Sequence, residues 1–92
     1  MVYVGVIFSS IPNANWRWKA ACHLFADTSQ ELHDFALQLR LKRSWYQHKR
    51  GHLAHYDLTE NKRRQAIKQG AIEADRELEV EYIRKARHEL KS

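Results

Sequence analysis

The clearest structural signal in the chain is a helix start that directly follows a run of strand-forming residues. Thr28-Ser29-Gln30-Glu31 has the form of a capping box, in which the Thr28 hydroxyl accepts an amide hydrogen three residues on and Glu31 reaches back. Apolar residues then recur at helical spacing, at Leu32, Phe35, Ala36 and Leu39. The pattern predicts a helix over residues 28–40 that packs on a sheet, with Asp27 as an alternative cap.

The segments before this helix read as strands joined by a loop. Residues 2–8 are β-branched and aromatic, which predicts a strand buried on both faces. Residues 9–15 contain Pro12 and two Asn and predict a loop. Trp16 and Trp18 alternate with basic residues and open a second predicted strand, which runs to about Ala26.

The second half of the chain adds short strands and two more helices. Further strands are predicted at residues 44–47, 53–57 and 71–73. Thr59 caps a helix that Gly70 ends, and another helix begins near Asp75. Its apolar stripe, which covers the core or meets a partner helix, is Leu78, Tyr82, Ile83, Ala86 and Leu90. We predict one α+β domain over residues 1–92, a small mixed sheet of about three to five short strands with two or three helices.

Size and cysteine content narrow the class of protein. Ninety-two residues lie near the lower limit for a self-sufficient core, so a homo-oligomer is expected. Cys22 is the only cysteine in the sequence, which excludes an intrachain disulfide and a cysteine-based zinc cluster. The apolar run at residues 2–8 is too short to span a bilayer and lacks the features of a signal peptide. We therefore expect a cytoplasmic protein without a membrane partner.

The positive charge of the chain is concentrated in one stretch. Residues 40–68 hold nine of the 16 Lys and Arg residues, against only Asp57 and Glu60. This basic patch either binds an anionic partner or is an ordinary solvated surface.

Two short segments carry the residues most suited to catalysis or metal binding. Strand alternation puts His23 on one face of its strand, and His55 and Asp57 on one face of theirs. If the two strands are neighbours, the three side chains converge, with Asp27 at the strand end. Two imidazoles and a carboxylate suit a divalent metal or an acid/base pair, whereas the simplest alternative is a buried His–Asp hydrogen bond.

The start of the second helix suggests a different chemistry, the binding of an anion. Helix N-termini offer unpaired amides, and Thr59, Lys62 and Arg63 lie in the first turn, within reach of a phosphate. No Gly-rich phosphate loop is present in the sequence. Aromatic residues mix with the cations and could stack on bases, although core packing is the commoner role: Trp16, Trp18, Trp45, Tyr46 and Tyr56.

The order of these segments resembles the bacterial and phage family known as domain of unknown function 4031. The matching motifs are Val2-Tyr3-Val4, Cys22 to Asp27, Glu31-Leu32-His33, Trp45-Tyr46-Gln47, His55 to Leu58, Lys62-Arg63 and Gly70 to Glu73. The resemblance covers about residues 2 to 75 and leaves the C-terminal helix, residues 76–92, mostly outside. It implies which residues matter rather than a reaction.

One departure from the family pattern bears on catalysis. Similar proteins usually place an acidic residue after Val-Tyr-Val, where this chain has Gly5. The missing acid makes catalysis less expected. The leading hypothesis is a non-catalytic binding module for a phosphate-bearing ligand, either a nucleotide or nucleotide signal or a segment of nucleic acid, and the phage members of the family suggest a phage-related role. No cofactor, metal ligand or catalytic residue is assigned. The candidate ligand-binding residues are His23, Asp27, Trp45, Gln47, His55, Tyr56, Asp57, Thr59, Lys62 and Arg63. The alternatives are a small hydrolase or phosphoryl-processing enzyme using the His/Asp site, and an oligomeric assembly protein.

Overall fold

A computed structural model of the chain describes residues 1–10, 12 and 18–89. Within these residues the chain forms five strands and three helices, which confirms the predicted α+β fold. The strands are β1 (Val2–Val4), β2 (Phe8–Ser9), β3 (Ala20–Ala26), β4 (Tyr56–Leu58) and β5 (Ile72–Glu73). The helices are α1 (Ser29–Gln38), α2 (Glu60–Lys68) and α3 (Arg76–Glu89), and a 3-10 turn covers Arg43–Trp45.

The long strand β3 organises the mixed sheet. It pairs antiparallel with β1, β2 and β4, and β5 extends the sheet by pairing parallel with β1. His23 lies opposite Asp57 in the β3–β4 pair, and Leu24 lies opposite Tyr56. The two segments that carry the chemically distinctive residues are therefore neighbouring strands.

Helices cover both faces of the sheet. Alternate residues of β3, Cys22 and Leu24, face a core that includes Leu32 of α1 and Ala66 of α2. The other face of the sheet carries a second cluster, in which Leu78 and Tyr82 of α3 pack on Tyr3, Phe25 and Ala74. At Leu78 and Tyr82, the apolar stripe of α3 thus packs on the protein's own sheet.

The predicted helix boundaries follow from their caps. The Thr28 hydroxyl accepts a hydrogen bond from the Glu31 amide at 3.2 Å, so Thr28 rather than Asp27 caps α1. Thr59 caps α2 in the same way through the Lys62 amide at 3.1 Å. Gly70 follows α2 with a φ of 109°, a backbone conformation that glycine adopts without strain.

Several predicted strand bounds were wrong. β3 begins at Ala20, so Trp18 lies before it, and β4 covers Tyr56–Leu58 rather than residues 53–57. The expected strand over residues 2–8 is divided, because the Val6 amide binds the Glu79 side chain instead of a neighbouring strand, and Val6, Ile7 and Phe8 are exposed. The predicted strand over residues 44–47 begins in the 3-10 turn, and Gln47 then forms a single bridge with His55.

Some predicted features fall outside the described residues, namely Trp16, most of the loop over residues 9–15 and Leu90. In the part of the chain that the structure describes, no helix has the length and apolar character needed to cross a membrane.

Candidate functional site

The three side chains expected to converge do lie together, on the face of the sheet that α3 covers. The imidazole rings of His23 and His55 have centroids 4.1 Å apart. The Nε2 atoms of His23 and His55 lie 3.7 and 3.5 Å from Oδ1 of Asp57. We call these three residues the histidine–aspartate cluster.

Each member of the cluster is held from outside by another protein group. His55 Nδ1 lies 2.8 Å from the carbonyl oxygen of Leu53, and His23 Nδ1 lies 3.1 Å from Oε2 of Glu79. The side-chain amide of Gln47 donates a hydrogen bond to Oδ2 of Asp57. These contacts fix the orientation of both rings and of the carboxylate.

Glu79 was missed by the sequence analysis. It lies on α3, is only 8% exposed, and accepts a hydrogen bond from the Val6 amide at 3.1 Å through its second oxygen. A Cβ at Gly5 would overlap the Glu79 carboxylate, so an acidic group occupies the space above Gly5 although residue 5 itself carries none. The available signal was that Glu79 precedes Tyr82 and Ile83 by three and four residues and so shares their helix face.

The carboxylates and His55 stabilise each other's charged forms. Burial disfavours the charged form of His55, but the nearby Asp57 carboxylate and the hydrogen bond to the Leu53 carbonyl outweigh burial and raise the pKa of His55. Burial likewise opposes ionisation of Asp57, and the nearby His55 ring and the hydrogen bond from Gln47 outweigh it and lower the pKa of Asp57. The hydrogen bond with His23 lowers the pKa of Glu79. Both carboxyl groups are therefore ionised at neutral pH.

The other predicted site residues near the sheet lie away from the cluster. Asp27, at the end of β3, binds the Tyr82 hydroxyl and the Met1 amino group. Tyr56 is buried and its hydroxyl contacts His33 Nδ1 at 2.9 Å. Trp45 is half exposed in the 3-10 turn, with the Lys42 ammonium 5.7 Å from its ring centre.

The cations predicted to bind phosphate at the start of α2 are bonded to the protein itself. Lys62 Nζ donates to the Leu39 carbonyl at 2.8 Å, and Arg63 Nε donates to the Gly5 carbonyl at 3.1 Å. Arg63 also lies 3.5 Å from a carboxylate oxygen of Glu73. With Thr59 engaged as a cap, the first turn of α2 has structural roles that compete with anion binding.

A second concave region lies beside the cluster. A cleft of about 640 Å³ is formed by the end of β3, the start of α1, residues 48–54 and one face of α3. Lys49, Arg50 and Lys85 line it, together with the aromatic rings of Tyr46 and Tyr82. Leu53 connects the two regions, since it lines the cleft while its carbonyl binds His55.

The chain was compared with curated proteins, solved structures and family models. No curated protein matches the chain, and neither does any solved structure. The family model described as "Protein of unknown function (DUF4031)" matches residues 9–86, and this range includes most of α3, which the sequence resemblance left outside. The match covers most of the chain together with the histidine–aspartate cluster, Glu79 and the cleft residues 48–54. The chain therefore belongs to the DUF4031 family of proteins of unknown function.

Proposed function

We propose that the protein binds a phosphate-bearing ligand of nucleotide size in the cleft. The observation that carries the proposal is that Lys49 and Arg50 line the cleft without an acidic partner in the described part of the chain. Both are exposed on the cleft, and neither forms an ion pair with any residue that the structure describes. Cations that line a concave surface without acidic partners are suited to an anion.

The size and lining of the cleft support a small ligand. Its volume of about 640 Å³ falls within the range of roughly 300 to 1,000 Å³ typical of small-molecule sites. The rings of Tyr46 and Tyr82 also line the cleft, and a base could stack on them after displacing the His48 ring and the Lys85 ammonium, which now contact them. One carboxylate, Asp27, also lines the cleft, but it accepts hydrogen bonds from Tyr82 and Met1.

The cleft is a better location for this function than the start of α2. Lys62 and Arg63 would have to give up bonds to backbone carbonyls before binding an anion, whereas Lys49 and Arg50 would not. The proposal thus keeps the phosphate-bearing ligand expected from the sequence and moves its binding cations to residues 49 and 50.

Thermal-shift measurements with nucleotides and inorganic phosphate at low salt test the proposal. A ligand that binds the native state raises the melting temperature, and we expect this rise to be lost in the double variant Lys49→Ala/Arg50→Ala. The matched control is Arg64→Ala/Lys68→Ala, which removes two exposed cations of α2 that do not line the cleft.

The outcomes separate the candidate partners. A shift that survives in the control variant but not in the cleft variant supports the proposal. If neither phosphate nor any nucleotide changes the melting temperature, or both variants respond equally, the proposal is wrong. Binding confined to oligonucleotides, with a steep dependence on salt, would replace it with a nucleic-acid partner.

A further inference from the structure

In each histidine of the cluster, Nδ1 contacts a group outside the cluster, and Nε2 faces the centre of the cluster. Leu53 presents a carbonyl oxygen to His55 Nδ1 at 2.8 Å, and a carbonyl can only accept a hydrogen bond, so Nδ1 carries the hydrogen. The ionised Glu79 carboxylate, 3.1 Å from Nδ1 of His23, also can only accept a hydrogen bond, so Nδ1 of His23 carries a hydrogen as well. In the neutral form of both rings, the hydrogen is thus on Nδ1 and the Nε2 atom bears a lone pair.

These two lone pairs face a third acceptor, the carboxylate of Asp57. Oδ1 of Asp57 lies 3.5 Å from Nε2 of His55 and 3.7 Å from Nε2 of His23, longer than the usual N–H···O distance of about 2.7–3.2 Å. One ligand atom from each residue lies within 4.8 Å of the other two. Three electron-rich atoms therefore surround one point, and each is partly withdrawn from water.

Protonation of the histidines does not give a favourable partner to all three of these atoms. A single added proton, on one imidazole, leaves the other Nε2 lone pair facing the carboxylate. Two added protons would produce two imidazolium rings whose centroids are 4.1 Å apart, and like charges at that distance repel. A cation placed between the three atoms would serve all of them at once.

We propose that the histidine–aspartate cluster binds one divalent transition-metal ion, of the Zn²⁺ class, through Nε2 of His23, Nε2 of His55 and a carboxylate oxygen of Asp57. Zinc bonds to nitrogen and oxygen of about 2.0–2.2 Å place neighbouring ligands of a tetrahedral ion roughly 3.3–3.6 Å apart. The separations of 3.5 and 3.7 Å between Asp57 and the two rings are close to this spacing. Two imidazoles and one carboxylate favour such an ion over Mg²⁺ or Ca²⁺, which prefer oxygen ligands.

The groups outside the cluster are those expected around a metal centre. Metal-binding imidazoles usually donate their second N–H to a carboxylate or a backbone carbonyl, as His23 does to Glu79 and His55 to Leu53. Gln47 holds the far oxygen of Asp57 in the same manner. His23 and Asp57 keep 24% and 26% of their side-chain surface exposed, so a water molecule or ligand could take a further coordination position.

Titration of the untagged protein with Zn²⁺ in a calorimeter tests the site, independently of whether the cleft binds phosphate. We expect one Zn²⁺ per chain, with binding weakened more than about 100-fold by His55→Ala or Asp57→Asn. Glu79→Gln should weaken it about 10- to 100-fold, because the carboxylate orients His23 without touching the ion. His88→Ala is the matched control, since His88 is an exposed histidine of α3 outside the cluster.

A spectroscopic measurement on the wild-type protein covers the case in which a variant fails to fold. On addition of one equivalent of Zn²⁺, nitrogen NMR should show large shifts at Nε2 of His23 and His55, and unchanged nitrogens in His33, His48, His52 and His88. The proposal is overturned if the wild-type protein takes up no stoichiometric Zn²⁺ at micromolar concentration. It is also overturned if folded His55→Ala binds as tightly as wild type, or if the shifted nitrogens belong to other histidines.

Discussion

At Gly5 the backbone passes directly beneath the Glu79 carboxylate, and the space that a Cβ would take is filled by carboxylate oxygens. Glu79 uses one oxygen to bind the Val6 amide and the other to bind His23. The contact joins residues far apart in sequence, so it determines both the position of α3 near the sheet and the tautomer of a site histidine. This packing therefore favours glycine, which has no Cβ, at position 5.

Substitution of Gly5 by Ala tests that requirement. The added methyl group would push the Glu79 carboxylate away from Val6 and His23, and we expect the free energy of unfolding to fall by about 1–3 kcal/mol. Urea denaturation of Gly5→Ala, Glu79→Ala and the double variant measures the effect. Because Glu79→Ala removes the overlapping group, the double variant should be more stable than the sum of the single effects implies. Strict additivity would show that the two residues are not in contact.

Cys22 provides a second residue-level prediction. Its side chain is buried in β3, and burial raises the pKa of the thiol to about 12. The thiolate is the reactive form, so the native protein should react with a thiol reagent such as iodoacetamide far more slowly than the protein unfolded in urea. Mass spectrometry of the modified chain gives both rates. Equal rates would mean that Cys22 is accessible in the native state.

At the level of elements, local sequence chemistry predicted the helices better than the strands. Thr28 and Thr59 act as caps as expected, because a cap depends on residues only three positions apart. The interruption after Val4 depends on a side chain more than 70 residues away, so no pattern in residues 2–8 could reveal it. The sequence predicted that His23 meets Asp57 only if their two strands are neighbours, because the pairing of strands depends on tertiary structure.

The cap of α2 can be separated from a role in ligand binding. Thr59→Ala removes the acceptor for the Lys62 amide and should lower the free energy of unfolding by about 1 kcal/mol. Thr59→Ser keeps the hydroxyl and should retain most of the stability. Chemical denaturation of the two variants makes the comparison. A Thr59→Ala variant as stable as wild type would contradict the capping role.

Across the whole molecule, α3 is connected to both ends of the sheet face that it covers. Glu79 binds His23 beside Gly5. The Tyr82 hydroxyl donates its hydrogen to Asp27, and its oxygen lies 3.1 Å from the Tyr3 hydroxyl, from which it can accept a hydrogen bond. Sequence analysis anticipated an apolar stripe on this helix, but not that a carboxylate on the same face would complete the surroundings of the cluster. All three members of the cluster were therefore predictable from strand alternation, whereas the roles of Glu79 and the Leu53 carbonyl as outer partners required the packed structure.

The Asp27–Tyr82 contact leads to a prediction for acid stability. Hydrogen bonds from Tyr82 and from the Met1 amino group lower the pKa of Asp27. Because this pKa is lower in the folded state than the ordinary value of about 3.9, the ionised group stabilises the fold above that value. The contribution disappears as the pH falls through the lowered pKa of the folded state.

Melting temperatures of the wild type and of Asp27→Asn between pH 6 and pH 2 test this dependence. We expect the variant to lose less stability than the wild type on acidification, because it has no charge to neutralise at residue 27. Asp34→Asn serves as the control, because it changes an exposed carboxylate of α1 to an amide and leaves the Asp27–Tyr82 contact in place. Parallel curves for wild type and Asp27→Asn would rule out the contribution.

Glu79 follows the three residues of the cluster in the sequence, and this order has a consequence for biosynthesis. A ribosome completes His23, His55 and Asp57 well before it reaches residue 79, and small domains acquire their final packing only when the contributing segments have emerged. Until α3 folds back onto the sheet, Nδ1 of His23 lacks the Glu79 carboxylate that fixes the tautomer of the ring. The nascent chain is therefore expected to hold a cluster without its Glu79 support until residue 79 and the rest of α3 have been made.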